Sequence, residues 1–551
     1  MLGVRPLLWP LTLLNLCLTV LGCTSEHFQE NLSINTLQDG KVATKFTFTT
    51  LLRGATPRDP RTLDSEDESQ HYTVFPLALG QILREYGVTE LHLTLNAGNW
   101  NYDRWGYPEE KGVGTGAELW AWMGEGPTKT VDHRWRGLRN ALAGLFCASL
   151  GSLDELRTTS PPQSFTPEGT LPDWGIPHKV RHAPLPSENV CTENLTPFLK
   201  LLPCKSLSGI ASLLNPHRLF DADWHGMGVH VLWRKDEGIE MKLTFQSVFD
   251  PLRPASASTQ AWSIHSLFDR TISQGCPVAQ KSDVVVALPT SAVYAIKPEP
   301  PLIEGGAGIY DVNTVEKPLD IKMMFADQFS FRKSKPCPEL TYQRQLYPAL
   351  EYHSNSTPFS VKRTLRGSSQ AWGQLSVVIT NQRDTTVHAL YLETMPWLIQ
   401  FYIHTLEARV DGVIKDGIIT NITYIPSVPH SRPTTFQAML SIPPRTTVDI
   451  TMDVTKAFLR YTEHPPDAQR GWDLPPAIFT PMELGNNGSF LPQDGRIYTP
   501  TLLVDLATPD FSMPYNVIIF TCTLTAAIFG NVFNLLTRKF LLVYIDPDKT
   551  Q

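Results

Sequence analysis

Cysteines are the side chains here with the clearest capacity for covalent chemistry. The chain of 551 residues contains 8 of them. Cys17 and Cys23 lie in or beside an apolar N-terminal run, and Cys522 lies in an apolar C-terminal run. Cys147, Cys191, Cys204, Cys276 and Cys337 remain. In an oxidising compartment an odd set of this kind can form two internal disulfides and leave one thiol free or bonded to another chain. Buried free thiols are the equal alternative on this count. No CxxC or Cys/His spacing fits a metal, so no metal site is expected. No cofactor is expected either.

Other chemistry has little support in local motifs. There is no GxSxG elbow, HExxH pair or P-loop. Gly112-Val-Gly-Thr-Gly116 precedes a tryptophan-rich strand pattern, so it reads as a turn and not as a phosphate cradle. His133, His225 and His404 stand alone and read as surface or core histidines. Carboxylates are plentiful, but sequence does not show which of them meet, so a hydrolase with a convergent carboxylate pair stays open. The net charge of -7 and the pI of about 6.1 argue against nucleic-acid binding.

The elements that would position such groups begin with two apolar segments. Arg5 followed by a leucine-rich run to Leu21 has the layout of a cleaved signal peptide, expected over 1–22. From Val517 to Leu536 no residue is charged, a length that spans one hydrocarbon core at ~1.5 Å per residue. Arg538 and Lys539 follow and place that end in the cytosol. The reading is a type I chain with a transmembrane helix at 516–536, a tail at 537–551 and the bulk in the lumen. Sequons at Asn31, Asn194, Asn355, Asn421 and Asn487 fit a lumenal glycoprotein. Pro197 and Pro358 make use of Asn194 and Asn355 less favourable.

Between these segments, the 45 prolines favour strands and turns. Alternation predicts strands over Lys41–Leu51, Glu90–Leu95, Ala117–Met123, Lys242–Phe249, Val284–Leu288, Gln374–Thr380, Trp397–Leu406 and Thr447–Val454. Helical spacing predicts a helix over Asp132–Leu150, capped by Asp132, and a short one over Thr196–Leu202. An acidic run at 64–69 reads as a solvated loop. The fold class is mainly β with some α: an α+β domain over 23–320, a β-sandwich over 321–515, and one C-terminal transmembrane helix.

Polar groups at the span are candidates for binding. Asn516 sits at its lumenal mouth beside Pro514 and Tyr515, and reads as a cap, a headgroup-level amide or a ligand contact. Asn531 and Asn534 lie deeper and are expected to face other helices. The loop Tyr461–Trp472 mixes polar and aromatic groups that suit either a glycan or a structural turn.

Five ordered blocks stand out: His71-Tyr-Thr-Val-Phe-Pro-Leu-Ala-Leu-Gly80, Gly116-Ala-Glu-Leu-Trp120, Val190-Cys-Thr-Glu-Asn-Leu-Thr-Pro197, Thr394-Met-Pro-Trp397 and Thr508-Pro-Asp-Phe-Ser-Met-Pro-Tyr-Asn516. Through them the chain resembles the T subunit family of the glycosylphosphatidylinositol (GPI) transamidase. The resemblance implies a non-catalytic subunit of an endoplasmic reticulum membrane complex. That complex exchanges the C-terminal signal of a proprotein for GPI, using a nucleophile on a caspase-like partner. It further implies that Cys191 bonds to that partner, that other membrane subunits join, and that Asn516 lies in the GPI-binding region. A second polar asparagine of the family corresponds to Gln469, whose longer amide has a different reach. A cargo receptor for GPI-anchored proteins and a lumenal hydrolase are the alternative functions.

Overall fold

The computed structural model describes residues 26–67, 70–253, 261–289, 294–314, 317–325, 357–460, 463–464, 471–485, 490–493, 495–508, 512–540 and 543. The expected signal peptide, Cys337, Asn355, Gln469, Asn487 and part of the acidic run lie outside these residues, as does most of the Tyr461–Trp472 loop. By internal contacts the chain forms two units, Met1–Ala457 with Asp473–Val504, and Phe458–Trp472 with Asp505–Gln551.

The first unit holds a ten-stranded sheet. Its order is Leu302–Glu304, Ala307–Asp311, Lys281–Ala287, Glu26–Thr36, Val42–Arg53, Gly238–Phe249, Trp224–Arg234, Val88–Ala97, Gly116–Gly124 and His178–Leu185. Glu26–Thr36 runs parallel to Lys281–Ala287, and the other neighbours are antiparallel. The alternation seen at 41–51 has its cause here, because Phe46 and Phe48 are buried while the intervening threonines and lysine are half-exposed.

Helices Leu77–Glu85, Val131–Phe146 and Thr192–Leu201 belong to the core on one side of this sheet, where Leu91, Leu93, Leu119 and Ala121 meet Leu79, Leu138, Leu142 and Phe198. Residues of opposite pleat, Trp120, Trp122, Val180 and Trp224, form a second core with Leu392, Ile478 and Tyr498 from the C-terminal half. Val88–Leu95 and Gly116–Gly124 are therefore buried on both faces.

That C-terminal half is a sandwich. One sheet runs Phe359–Arg366, Trp372–Asn381, Thr447–Lys456, Glu407–Val410, Val413–Ile414, and the other Ile419–Ile425, Thr434–Ile442, Val387–Met395, Ile478–Leu484, Phe490–Pro492. Phe359 and Phe479 meet edge to face between the two, 6.3 Å apart. Arg363 pairs with Glu393 across the interior at 2.6 Å, both fully buried, and Tyr391 donates to the other Glu393 oxygen at 2.8 Å. A buried pair of this kind costs much desolvation, but it registers the two sheets against each other.

Several expectations need correction. The helix at 131–146 is capped by Thr130, whose Oγ1 accepts from the His133 N–H, while Asp132 pairs with Arg181. It also stops at Phe146, because Cys147 turns into left-handed geometry. The second helix begins at Thr192 and not at 196. Thr196-Pro197 resembles a cap followed by a first-turn proline, yet Pro197 lies inside. Trp397–Leu406 is not one strand. Only Ile399–Phe401 pairs, and Ile403–Thr405 forms a 3-10 turn in which the Thr405 hydroxyl takes the Asp453 N–H that a continuing strand would bind. The strand Lys322–Phe325 pairs within the N-terminal half, so that half extends past residue 320.

The join between the two halves is polar as well as aromatic. Tyr498 donates to Glu118 Oε2 at 2.8 Å, and His182 Nε2 contacts Glu118 Oε1 at 3.0 Å. The Tyr498 N–H donates to the Tyr102 hydroxyl at 3.0 Å. Arg496 lies over the rings of Trp120 and Phe165 at 5.2 and 4.7 Å. The glycine-rich loop is shaped by this join: a Cβ on Gly114 would stand 2.8 Å from the Tyr498 ring. It is a turn, as expected.

Burial alone would raise the Glu118 carboxyl, but the bond and charge of His182, with Arg496 and the Tyr498 hydroxyl, hold it below its usual value. Its contribution to stability is therefore present above the ordinary carboxylate range and is lost as pH falls through the lowered folded value. Tyr498→Phe should cost about 1–3 kcal/mol by stranding a buried carboxylate oxygen. Denaturant unfolding of the full chain in detergent, with and without the substitution, checks this. The gap between variant and parent should narrow in acid as Glu118 protonates.

Candidate functional site at the Cys191 joint and the apolar helix

The segment around Cys191 is built by a buried amide. Asn194, fully buried, accepts from the Cys191 N–H at 2.7 Å and donates to the carbonyls of Phe146 and Cys147 at 2.9 and 3.2 Å. One side chain thus caps the start of the Thr192–Leu201 helix and satisfies the last carbonyls of the Val131–Phe146 helix. Val190, Leu195 and Phe198 anchor the joint in the core. Cys147 and Cys191 are both left exposed and unbonded. Cys204 and Cys276 form a disulfide. Among the described residues the cysteine arithmetic resolves to one internal bridge and three exposed thiols, Cys147, Cys191 and, on the apolar helix, Cys522.

Beside this joint an open groove of about 690 Å³ is lined by Leu77, Ala78, Leu145, Cys147, Pro197 and Leu201, among others. Its wall at Leu77–Glu85 is held from a distance. The Glu26 carboxylate accepts from the N–H groups of Thr73, Val74 and Phe75 at 2.8, 2.6 and 2.7 Å. Burial would raise this carboxyl, but these backbone bonds outweigh it and keep it low. The His71–Gly80 block therefore works as a support for the groove.

A second candidate, considered by itself, is the helix Ser512–Thr537, whose stretch Tyr515–Thr537 is long and apolar enough to cross a membrane. Its Thr521, Thr523 and Thr537 hydroxyls bond back to carbonyls one turn earlier, so they do not seek outside partners. Asn516, Asn531 and Asn534 are exposed along it. At 3.6 residues per turn Asn516 and Asn534 share a face ~27 Å apart, and Asn531 lies close to that face. One amide at the start of the helix and two near its end thus lie on roughly one side, with mainly apolar residues between them.

The remaining sequence candidates separate clearly. Asn194 is corrected as a glycan acceptor, because its amide is enclosed and fully used. Asn421 is exposed at an irregularity in the sheet, with φ of 50°. Asn31 is half-exposed in a strand. His133 is exposed on its helix and His404 sits in the 3-10 turn. His225 is half-buried, and burial lowers it to about 4.

Sequence reasoning missed the buried titratable line Glu90, His92, His230 and Glu110. His92 Nε2 lies 3.0 Å from Glu90, its Nδ1 lies 2.9 Å from His230 Nδ1, and His230 lies 3.2 Å from Glu110. Burial, then the His230 charge, pushes His92 well below the ordinary histidine value. Glu90 and His92 alternate on one strand, His230 lies opposite His92 on its neighbour, and Glu110 comes from the loop before Gly116–Gly124, so only strand register and the loop path reveal that they meet. They are enclosed, with Trp120 stacked on His92 at 3.8 Å, and act as internal cement.

Residues 12–256 and 251–551 match the family described as the Gpi16 subunit, a GPI transamidase component. The chain belongs to this family. It is 33% identical to the GPI-anchor transamidase component PIGT of Mus musculus over 98% of this chain and 95% of that protein. The PIGT of Homo sapiens is 33% identical, covering 96% of this chain and 94% of its own length. The PIG-T homologue of Schizosaccharomyces pombe is 31% identical over 97% and 94%. The Gpi16 match covers the Cys191 joint, both sheets of the sandwich and the apolar helix.

Asn194→Ala should destabilise the joint by about 1–3 kcal/mol, since two carbonyls and one N–H lose a buried partner. It should also speed maleimide labelling of Cys191 by loosening the helix start. Mass spectrometry of timed labelling reactions reads the rate at Cys147 and Cys191 separately.

Proposed function

We propose that this chain is a non-catalytic subunit of a GPI transamidase. It holds a caspase-like catalytic subunit through Cys191 and presents GPI at the lumenal end of its membrane helix. The observation that carries the reading is family membership along nearly the entire chain, Cys191 block and apolar helix included. The exposed thiol at a rigid helix joint supports the covalent part, because a disulfide needs an accessible sulfur on a fixed backbone. The groove beside it offers packing surface.

In this reading the bulk of the chain lies in the endoplasmic reticulum lumen, with Arg538 and Lys539 on the cytosolic side. The Asn516 amide, at headgroup depth, donates to and accepts from GPI oxygens, and Gln469 assists. Asn531 and Asn534 bond to neighbouring helices, where amides in hydrocarbon find partners. The chain supplies position, not a nucleophile. Holding the GPI amine next to an acyl-enzyme while limiting water favours transfer over hydrolysis.

Cys191→Ser should abolish a reduction-sensitive band containing this chain and its partner on non-reducing gels, while the complex still copurifies in mild detergent. Persistence of the band excludes Cys191 as the bridge. Asn516→Leu should lower GPI transfer roughly tenfold with assembly intact, the scale of one lost buried hydrogen bond of about 1.4 kcal/mol. Cells lacking the chain should accumulate unprocessed proproteins. Normal attachment with delayed export would instead identify a cargo receptor, and turnover by the isolated chain a hydrolase.

A further inference from the structure

The sandwich has one end with an unusual surface. The hairpin 366–372 is exposed throughout and reads Arg-Gly-Ser-Ser-Gln-Ala-Trp, with no acidic residue of its own, and Arg366 lies 3.8 Å from Asp449 on a nearby strand. It is well formed. Ser369 Oγ accepts from the N–H groups of Ala371 and Trp372 at 3.2 and 3.3 Å, and its carbonyl accepts from Lys456 Nζ at 2.9 Å. Trp372 is 57% exposed, although its ring is stacked on Tyr402 at 5.8 Å and 19°. A tryptophan held rigidly by a neighbour, yet presented to the outside, has lost rotamer freedom without gaining burial in the chain itself.

Strand register places the exits of the chain at this same end. Trp372 and Gln400 both lie opposite Thr455, and Ala457 then bonds to the Leu398 carbonyl as the chain leaves the sheet. Ile478 pairs antiparallel with Tyr498, and Trp472–Leu474 pairs with Leu502–Val504, so the chain before Ile478 and after Tyr498 runs on in one direction. Arg363 binds the Pro475 carbonyl on that path, three residues before the hairpin begins. Leu503 is 56% exposed on the last strand, and Val504 ends the unit. Only residues 505–511 precede the helix Ser512–Thr537, and extended chain of that length reaches at most about 25 Å.

We propose that the hairpin end, centred on Trp372 and Tyr402 with Arg366 and Lys456, is a lipid-surface contact that seats the sandwich at headgroup level. Aromatic rings with a polar tip favour the membrane interface, and basic side chains beside them favour phosphate headgroups. The occupant is the bilayer, because the chain that leaves this end is committed to enter it within one short linker. The inference rests on the helix Ser512–Thr537 being a membrane span.

The full chain, reconstituted in phosphatidylcholine nanodiscs that carry a diazirine-tagged phosphatidylcholine, tests it by mass spectrometry of lipid adducts. The exposed edge strand Leu302–Glu304, with Ile303 62% exposed, is the control for non-specific apolar labelling. Adducts on 366–372 should exceed those on the control roughly tenfold, and Trp372→Ala should remove most of that excess. Because Trp372 is exposed, the variant should unfold at the same midpoint as the parent. Adducts at control level, or adducts unchanged by Trp372→Ala, overturn the proposal. So does their loss when the chain is reconstituted with copurified partner subunits, since a protein then covers the face. Adducts on Ser512–Thr537 without any on the hairpin refute the contact and leave the span standing. Absence of both refutes both.

Discussion

A ten-stranded sheet covered by helices on one side and by a sandwich on the other leaves Glu90, His92 and Glu118 no route to water. Each must find its partner inside the protein, because an unpaired buried charge costs far more than a packed interior returns. Their answers are specific: backbone N–H groups of Glu168 and Gly169 for Glu90, His230 for His92, and His182 with Tyr498 for Glu118. Tyr498 comes from the other half of the chain. Charge satisfaction thus makes the two halves interdependent in a way that apolar packing alone would not. The glycine at 114, the aromatic shelf under Arg496 and the bond from Gln437 to Ser164 at 2.8 Å all conform to that one join.

The opposite face of the same sheet carries the Cys191 joint. Helices 131–146 and 192–201 pack on the sheet, and their ends meet at Asn194. A fully buried amide there fixes backbone directions to within a hydrogen bond, while the thiols on either side remain outside. An exposed thiol on a fixed backbone beside an open groove is the geometry on which the proposed covalent link rests. The charge-rich interior and the thiol-bearing surface are two consequences of one layered arrangement.

The reading of residues went furthest where chemistry is local. Two-residue alternation at 41–51 and 117–123 marked strands because successive side chains differ in type between the two faces. It failed at 397–406, where a side-chain hydroxyl replaced a ladder bond, and at 192–196, where a proline imitated a helix start. Cys191 was legible only through a block of matching residues; its exposure was not. Asn194 was legible as a sequon and wrong as one, because nothing in three letters reports that an amide is enclosed.

Sequence by itself determined the apolar span, the strand-rich class and the family, since uncharged length, periodicity and ordered residue blocks are properties of the chain alone. Tertiary structure alone decided which cysteines bond, which histidines and carboxylates meet, and which tryptophans face outward. Those outcomes depend on register between segments far apart in the chain: Glu118 and Tyr498, Cys204 and Cys276, Trp372 and Tyr402. No local propensity encodes such distances. They are set when burial of both sheet faces leaves an arrangement in which Glu90, His92 and Glu118 each meet a partner.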